Sequence, residues 1–174
     1  MKYIALLICA VFLYSCSKEN ATEEVNNKST EAELPANLFA SAKIEGAVSV
    51  TDARKLKAGD KVKVKGKIMG AAKPFIEGRA LFVIGDPEKL TSCDLRPDDD
   101  CPTPWDVCCD GEQLIKAGVL SIQVVDASGK VLKTGLEGKS GIEKLALVEI
   151  EGTVASNSNE DAMTINAEKI FVNK

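Results

Sequence analysis

An all-β fold, a small five-stranded barrel or sandwich, is what the sequence predicts, on three observations. Short runs with β-type patterning recur along the chain between Gly and Asp punctuation. Glycines fall inside several of those runs, where a strand must bend. No long segment repeats its apolar residues at helical spacing. Together these point to a small closed or two-layered β architecture.

The elements follow in order. Val48 to Val50 reads as a short lead-in strand, followed by a single turn of helix capped by Thr51 or Asp52. Gly59-Asp60 is a turn, and residues 61–68 then alternate strictly. Val62, Val64 and Ile68 fall on one side and Lys61, Lys63, Lys65 and Lys67 on the other, with Gly66 as the bend. Residues 79–85 (RALFVIG) form a nearly all-apolar second strand, and residues 119–126 (VLSIQVVD) a third. The third continues through the turn Ala127-Ser128-Gly129 into Lys130-Val131-Leu132. Residues 147–154 (LVEIEGTV) are the fourth strand, and residues 162–172 (AMTINAEKIFV) the fifth, reached by the polar turn at 156–161.

The opening G-D-x-V-x-V-x-G-x-I at Gly59, together with G-x-V at Gly152 and x-I-x-A-x-x-I-x-V through Val172, resembles an oligonucleotide/oligosaccharide-binding (OB) fold over most of residues 55–172. The resemblance implies a five-stranded barrel in which strand one pairs antiparallel with strand four. Lys61, Lys63, Lys65, Glu149 and Glu151 would then share the outer face, a charge-matched pair of strands. The helix usual between strands three and four has only the Gly-rich residues 134–144 to occupy, so it is short or absent. A basic track for single-stranded nucleic acid along Lys61 to Lys67 is the sharper alternative. Such binders need aromatic platforms beside the basic groove, and Phe82 is the one strand aromatic near it. The acidic loop 156–161 also opposes that reading.

The second and third strands are separated by an insertion at 87–112, containing CDLRPDDDCPTPWDVCCD. Cys93, Cys101, Cys108 and Cys109 fall within it. In an exported chain an even set of cysteines predicts disulfides. Adjacent Cα atoms lie about 3.8 Å apart, short of the usual disulfide span, which disfavours Cys108–Cys109. Each of Cys108 and Cys109 is therefore expected to pair with Cys93 or Cys101, both arrangements remaining open. A closed loop of about 15 residues is stabilised by about 3 kcal/mol in the chain-entropy account. Pro102 and Pro104 stiffen the middle, and Trp105 is expected to pack on the bridges as a satellite core.

The string C-P-T-P-W-D-x-C-C resembles a motif of bacterial envelope lipoproteins that carry an OB-fold-like (tRNA-anti-like) domain and have no settled activity. The resemblance implies architecture and no chemistry. Other readings rest on the residues. Four thiolates could hold zinc or copper(I), although their spacing lacks C-x₂₋₄-C pairs and the chain has no His. A thiol-redox role for Cys108-Cys109 would want a basic neighbour, whereas Asp106 and Asp110 flank the pair. The insertion is acidic, with Asp94, Asp98, Asp99, Asp100, Asp106, Asp110 and Glu112 against Arg96. Asp98, Asp99 and Asp100 are candidate binding residues, but EF-hand spacing is missing, and a solvated acidic loop is the plainer account. Trp105 is a candidate anchor for a partner.

The N-terminus sets the compartment. Met1-Lys2-Tyr3 is followed by an unbroken apolar run from Ile4 to Leu13. That run is short of the roughly 20 residues a membrane span needs and fits a cleaved signal peptide. Leu13-Tyr14-Ser15-Cys16 resembles a lipobox, which implies cleavage before Cys16 and lipid on its thiol and amine. Residues 1–15 are thus expected to be a lipoprotein signal peptide, 16–42 the lipidated Cys16 and a flexible tether, and 43–174 the β domain. Ser17 in place of Asp favours the outer membrane, with the domain in the periplasm or at the cell surface.

Cleavage removes both tyrosines with the signal and, by taking Lys2, moves the net charge of −4 one unit more negative. An acidic chain is a poor nucleic-acid binder. Without His, no Ser-His-Asp or Cys-His centre can exist. No phosphate-binding loop or paired-acid signature stands out. The expectation is a non-enzymatic envelope lipoprotein without cofactor, binding a protein, glycan or peptidoglycan fragment. Its competitor is a metal-binding or thiol-redox protein using Cys93, Cys101, Cys108 and Cys109.

Overall fold

A computed structural model describes residues 31–97 and 100–173. The signal segment 1–15, Cys16 and the first part of the tether lie outside the described residues, as do Asp98 and Asp99.

Five strands close into a barrel: β1 (Lys61–Lys67), β2 (Leu81–Gly85), β3 (Val119–Gln123), β4 (Leu147–Val154) and β5 (Thr164–Val172). Around the barrel the order is β1-β2-β3-β5-β4, with β4 returning to β1. All neighbours are antiparallel except β3 and β5, which run parallel. This is the OB-like topology expected. The β1–β4 register sets Lys63 opposite Glu151, Lys65 opposite Glu149 and Val64 opposite Ile150.

The alternation in β1 is realised residue by residue: the valines are buried and the lysines exposed up to the half-buried Lys67. Val62, Val64, Phe82, Ile84, Leu120, Ile122, Val148, Ile150, Ile165 and Ile170 fill the barrel, each contributing about 1.5–3 kcal/mol of transfer free energy for a fully buried side chain. Two glycines are required by close approach. At Gly66 an added Cβ would lie 3.0 Å from both the Gly85 carbonyl and Ile84 Cδ1. At Gly152, beside the register shift in β4, it would lie 2.2 Å from the Asn166 carbonyl oxygen.

Several expectations are corrected. The tether was expected to reach residue 42, but one compact unit begins at Glu31. Leu38 is fully buried in the main core, and Phe39 bridges to Ile170 of β5. Glu31 accepts from Lys139 Nζ at 2.8 Å and from the Thr134 hydroxyl. The polar run 17–35 concealed Leu34, and Leu38 lies just beyond it; their partners lie far along the chain.

Helix α1 (Val50–Ala53) is capped by Ser49, not Thr51 or Asp52. The Ser49 hydroxyl accepts from Asp52 N at 3.1 Å. Thr51 is occupied instead with Asp86, donating to its carboxylate from both amide (3.0 Å) and hydroxyl (2.6 Å). Val48 makes a bridge to Val64. β3 ends at Gln123, and the expected continuation through residues 127–129 is a single bridge between Val125 and Val131. Between β3 and β4 there is only a 3-10 turn, Lys139–Gly141. A short helix that sequence patterning missed, α2 (Glu112–Gly118), closes the insertion and leads straight into β3.

Candidate thiolate cluster and adjoining cleft

The insertion is a loop folded back on itself. It leaves β2 at Asp86, whose amide donates to the Gly118 carbonyl at 2.8 Å, so its two ends meet. Its apolar content is small: Leu90 and Val107 form a separate buried cluster with Met69 of the β1–β2 connection, and Ile115 and Val119 pack against it.

Polar contacts do the remaining folding. Cys93 N donates to Asp106 O (2.9 Å) and Asp94 N to Pro104 O (2.8 Å), pairing the start of the loop with its middle. The Asp110 carboxylate accepts from Thr91 N at 2.8 Å and from Arg96 Nη2 at 2.7 Å, tying the segment after the vicinal cysteines to the segments flanking Cys93. Asp106 Oδ1 accepts from Val107 N at 2.8 Å. Lys67 of β1 reaches Ser92 Oγ at 2.9 Å and Asp94 at 3.3 Å, fastening the loop to the barrel. Three of the acids that looked like a solvated run are thus braces, while Asp100 is exposed.

This folding converges the cysteines. Cys93 Sγ stands 3.9 Å from Cys108 Sγ, and Cys108 Sγ stands 4.0 Å from Cys109 Sγ. The sulfurs of Cys93, Cys108 and Cys109 all lie within 4.8 Å of one another. Cys101 is not one of this trio; its thiol interacts with those of Cys93 and Cys108, and its sulfur lies 3.3 Å from the Thr103 hydroxyl. Cys93 is buried, Cys101 half-buried, and Cys108 and Cys109 exposed. The Cys93–Cys108 and Cys108–Cys109 separations are non-bonded, against about 2.05 Å for a covalent pair. Of the pairings weighed from sequence, the Cys93–Cys108 approach is represented at 3.9 Å.

The thiols differ in acidity. The Thr103 hydroxyl and the Thr103 backbone hold the Cys101 thiol below its ordinary value, helped by Cys93 and Cys108. For Cys108 the Cys93 contact favours the thiolate, but Cys109, desolvation and the neighbouring sulfur charges outweigh it and push the thiol up. Arg96 closes the turn that begins at Cys93. Its side chain is held by Asp110 and its backbone N–H by the Cys93 carbonyl at 3.0 Å.

Trp105 does not pack among the sulfurs, as expected from sequence. Its indole Nε1 donates to the Ala72 carbonyl at 3.0 Å, its own carbonyl accepts from Gly70 N at 3.1 Å, and Lys144 Nζ lies 4.5 Å from its ring centroid. It is half-buried and forms one wall of a cleft of about 720 Å³. The β1–β2 loop contributes Lys73, Phe75 and Ile76, and the β3–β4 connection contributes Lys139 and Lys144. Lys144 is paired with Glu137 at 2.6 Å. Neither Phe75 nor the β3–β4 lysines carried a signal in the sequence, because their neighbours come from three separate segments.

The lysine row is engaged locally. Lys61 pairs with Glu168 at 2.5 Å and Lys65 with Glu88 at 3.4 Å, while Lys63 Nζ donates to the Glu45 carbonyl at 3.3 Å. Phe82 is fully buried in the barrel and so presents no stacking face beside that row.

Among the described residues, the thiol group is the grouping of His, Cys, Asp or Glu side chains close enough to hold a metal ion; the acids Asp94, Asp106 and Asp110 are spent on protein contacts. Comparison with known proteins returns no matching family model, no similar curated protein and no similar solved structure.

Proposed function

We propose that this chain is a non-enzymatic lipoprotein of the bacterial envelope, anchored through lipid on Cys16, whose OB-like barrel is a binding module for a glycan such as a peptidoglycan fragment. The observation that carries the binding role is the cleft walled by Trp105 and Phe75. OB folds take oligosaccharides and oligonucleotides at the strand 2–3 face and at the β1–β2 and β4–β5 loops, and the first of those loops lines this cleft. An aromatic face suits the apolar side of a sugar ring, and the mixed lining of Lys73, Lys139 and Lys144 with Glu31, Glu77 and Glu137 suits its polar groups. The absence of His from the chain supports a binding rather than a catalytic role. The apolar run before Cys16 and the lipobox-like residues support export and acylation.

Trp105 is the chain's one tryptophan, so its emission reports directly on the cleft. Titrating the detergent-solubilised lipoprotein with soluble peptidoglycan fragments should give a saturable change in that emission. Lys144→Ala should weaken it, and a nucleic-acid oligomer should give none. No saturable response to any fragment would remove the reading. For the anchor, metabolic labelling with a fatty acid should mark the native chain and leave Cys16→Ala unmarked.

A further inference from the structure

We infer that Cys93, Cys108 and Cys109, completed by Cys101, form a mononuclear thiolate site for one soft d¹⁰ ion, zinc(II) or copper(I). This lies outside the cleft and is independent of what the cleft binds.

The first argument is spacing. Zinc bound to four thiolates at about 2.3 Å in a tetrahedron sets neighbouring sulfurs about 3.8 Å apart. The separations here are 3.9 Å for Cys93–Cys108 and 4.0 Å for Cys108–Cys109. Three sulfurs mutually within 4.8 Å can share one ion. A disulfide would draw one pair to about 2.05 Å and break up this convergence.

The second argument is how the ligands are held. Cys93 sits in a 3-10 turn at Cys93–Leu95 whose backbone is paired to Asp106 and Pro104. Cys108 and Cys109 are brought to it by Asp110, the next residue, through Thr91 and Arg96. The sulfurs are therefore positioned by contacts outside themselves, as ligands of a built site are.

The third argument is charge. Binding displaces the thiol protons to solvent, leaving an anionic centre. Arg96 closes the turn that begins at Cys93, with its backbone N–H on the Cys93 carbonyl, and its Nε is buried with no hydrogen-bond partner among the described residues. A guanidinium N–H in that state suits a negatively charged sulfur cluster. The ligand types narrow the ion: all-sulfur sites select zinc(II) and copper(I), whereas calcium and magnesium take oxygen. The local spacing gave no C-x₂₋₄-C signature because the loop, rather than adjacent ligands on one turn, brings the sulfurs together.

The test uses the full chain, solubilised from membranes in mild detergent without chelator or reductant. Elemental analysis should find about one zinc or copper per chain, and the four thiols should resist alkylation until a chelator is added. The two ions separate by coordination number. Cys101→Ser should lose zinc, which wants four ligands, yet keep copper(I), which is satisfied by three. Cobalt(II) added to the metal-stripped, reduced chain should show the visible absorption of a tetrahedral thiolate complex, lost in Cys93→Ser and in Cys109→Ser. Circular dichroism of each variant checks that the barrel is intact. A chain isolated with its cysteines in two disulfides and no metal would overturn the inference. So would a reduced, folded chain that takes up none of the three ions, or Cys93→Ser and Cys109→Ser variants whose metal content is unchanged.

Discussion

The barrel and its insertion are built by different forces. In the barrel, apolar residues from all five strands share one interior, and neighbouring positions in sequence alternate between core and solvent. The insertion buries Leu90 and Val107 with Met69 and is otherwise held by carboxylates and backbone pairing. A structure held by distributed apolar burial loses stability in proportion to the volume removed. A structure held by a few polar braces fails locally when one brace is removed. The two regions should therefore respond differently to substitution.

The largest expected effect is in the barrel. Phe82→Ala empties a fully buried site and should cost about 3–5 kcal/mol, read as a lower midpoint of global denaturant unfolding. If the insertion were the main source of stability, this variant would unfold near the native midpoint. Gly152→Ala should follow, at about 1–3 kcal/mol or more, because its Cβ would meet the Asn166 carbonyl oxygen at 2.2 Å. Amide exchange along β4 and β5 should then quicken before that in β2.

At the junction of the two regions, Asp86 is 1% exposed and accepts from Thr51 and from Glu88 N at 3.1 Å. Burial pushes its carboxyl up, but these donors outweigh burial and leave it below the usual range. Its contribution is thus present above the unfolded value of about 3.9 and is lost as pH falls through the lower native value. Asp86→Asn should cost about 1–3 kcal/mol at neutral pH, and the gap to the native chain should close in acid. A gap that widened in acid would refute this assignment.

Within the insertion, Asp110→Ala should cost a similar 1–3 kcal/mol, but locally. Proteolysis and amide exchange should accelerate in residues 91–110 while the barrel's unfolding midpoint stays near the native one. A matching fall in both would mean the two regions unfold as one. The smallest effect belongs to the surface: Lys65→Ala breaks an exposed pair with Glu88 and should change stability by less than about 1 kcal/mol.

The same difference governed what could be read in advance. β1 and β4 were legible to within a residue because alternation with period two is a local property of strands with one wet face. Their antiparallel pairing followed from fold resemblance and was found; the register, Lys63 against Glu151, came from the structure. Leu38 was missed because Leu38-Phe39-Ala40 is too short an apolar stretch to show a period. α2 was missed because only Gly118 in it is buried, so it shows no apolar stripe. The four cysteines were visible as a set, but their arrangement was not. Asp110, Arg96 and Lys67 looked like ordinary surface charges until their partners were known.

From its sequence alone this protein had its strands, their inward and outward faces and the identity of its sulfur residues settled, since those depend on residue type and short-range repetition. Tertiary structure alone decided that the barrel closes through a parallel β3–β5 contact, that the chain from Glu31 belongs to it, and that the sulfurs of Cys93, Cys108 and Cys109 meet. Each of those outcomes joins groups distant along the chain. They form only when the barrel has brought the ends of its loops together, so no local pattern encodes them.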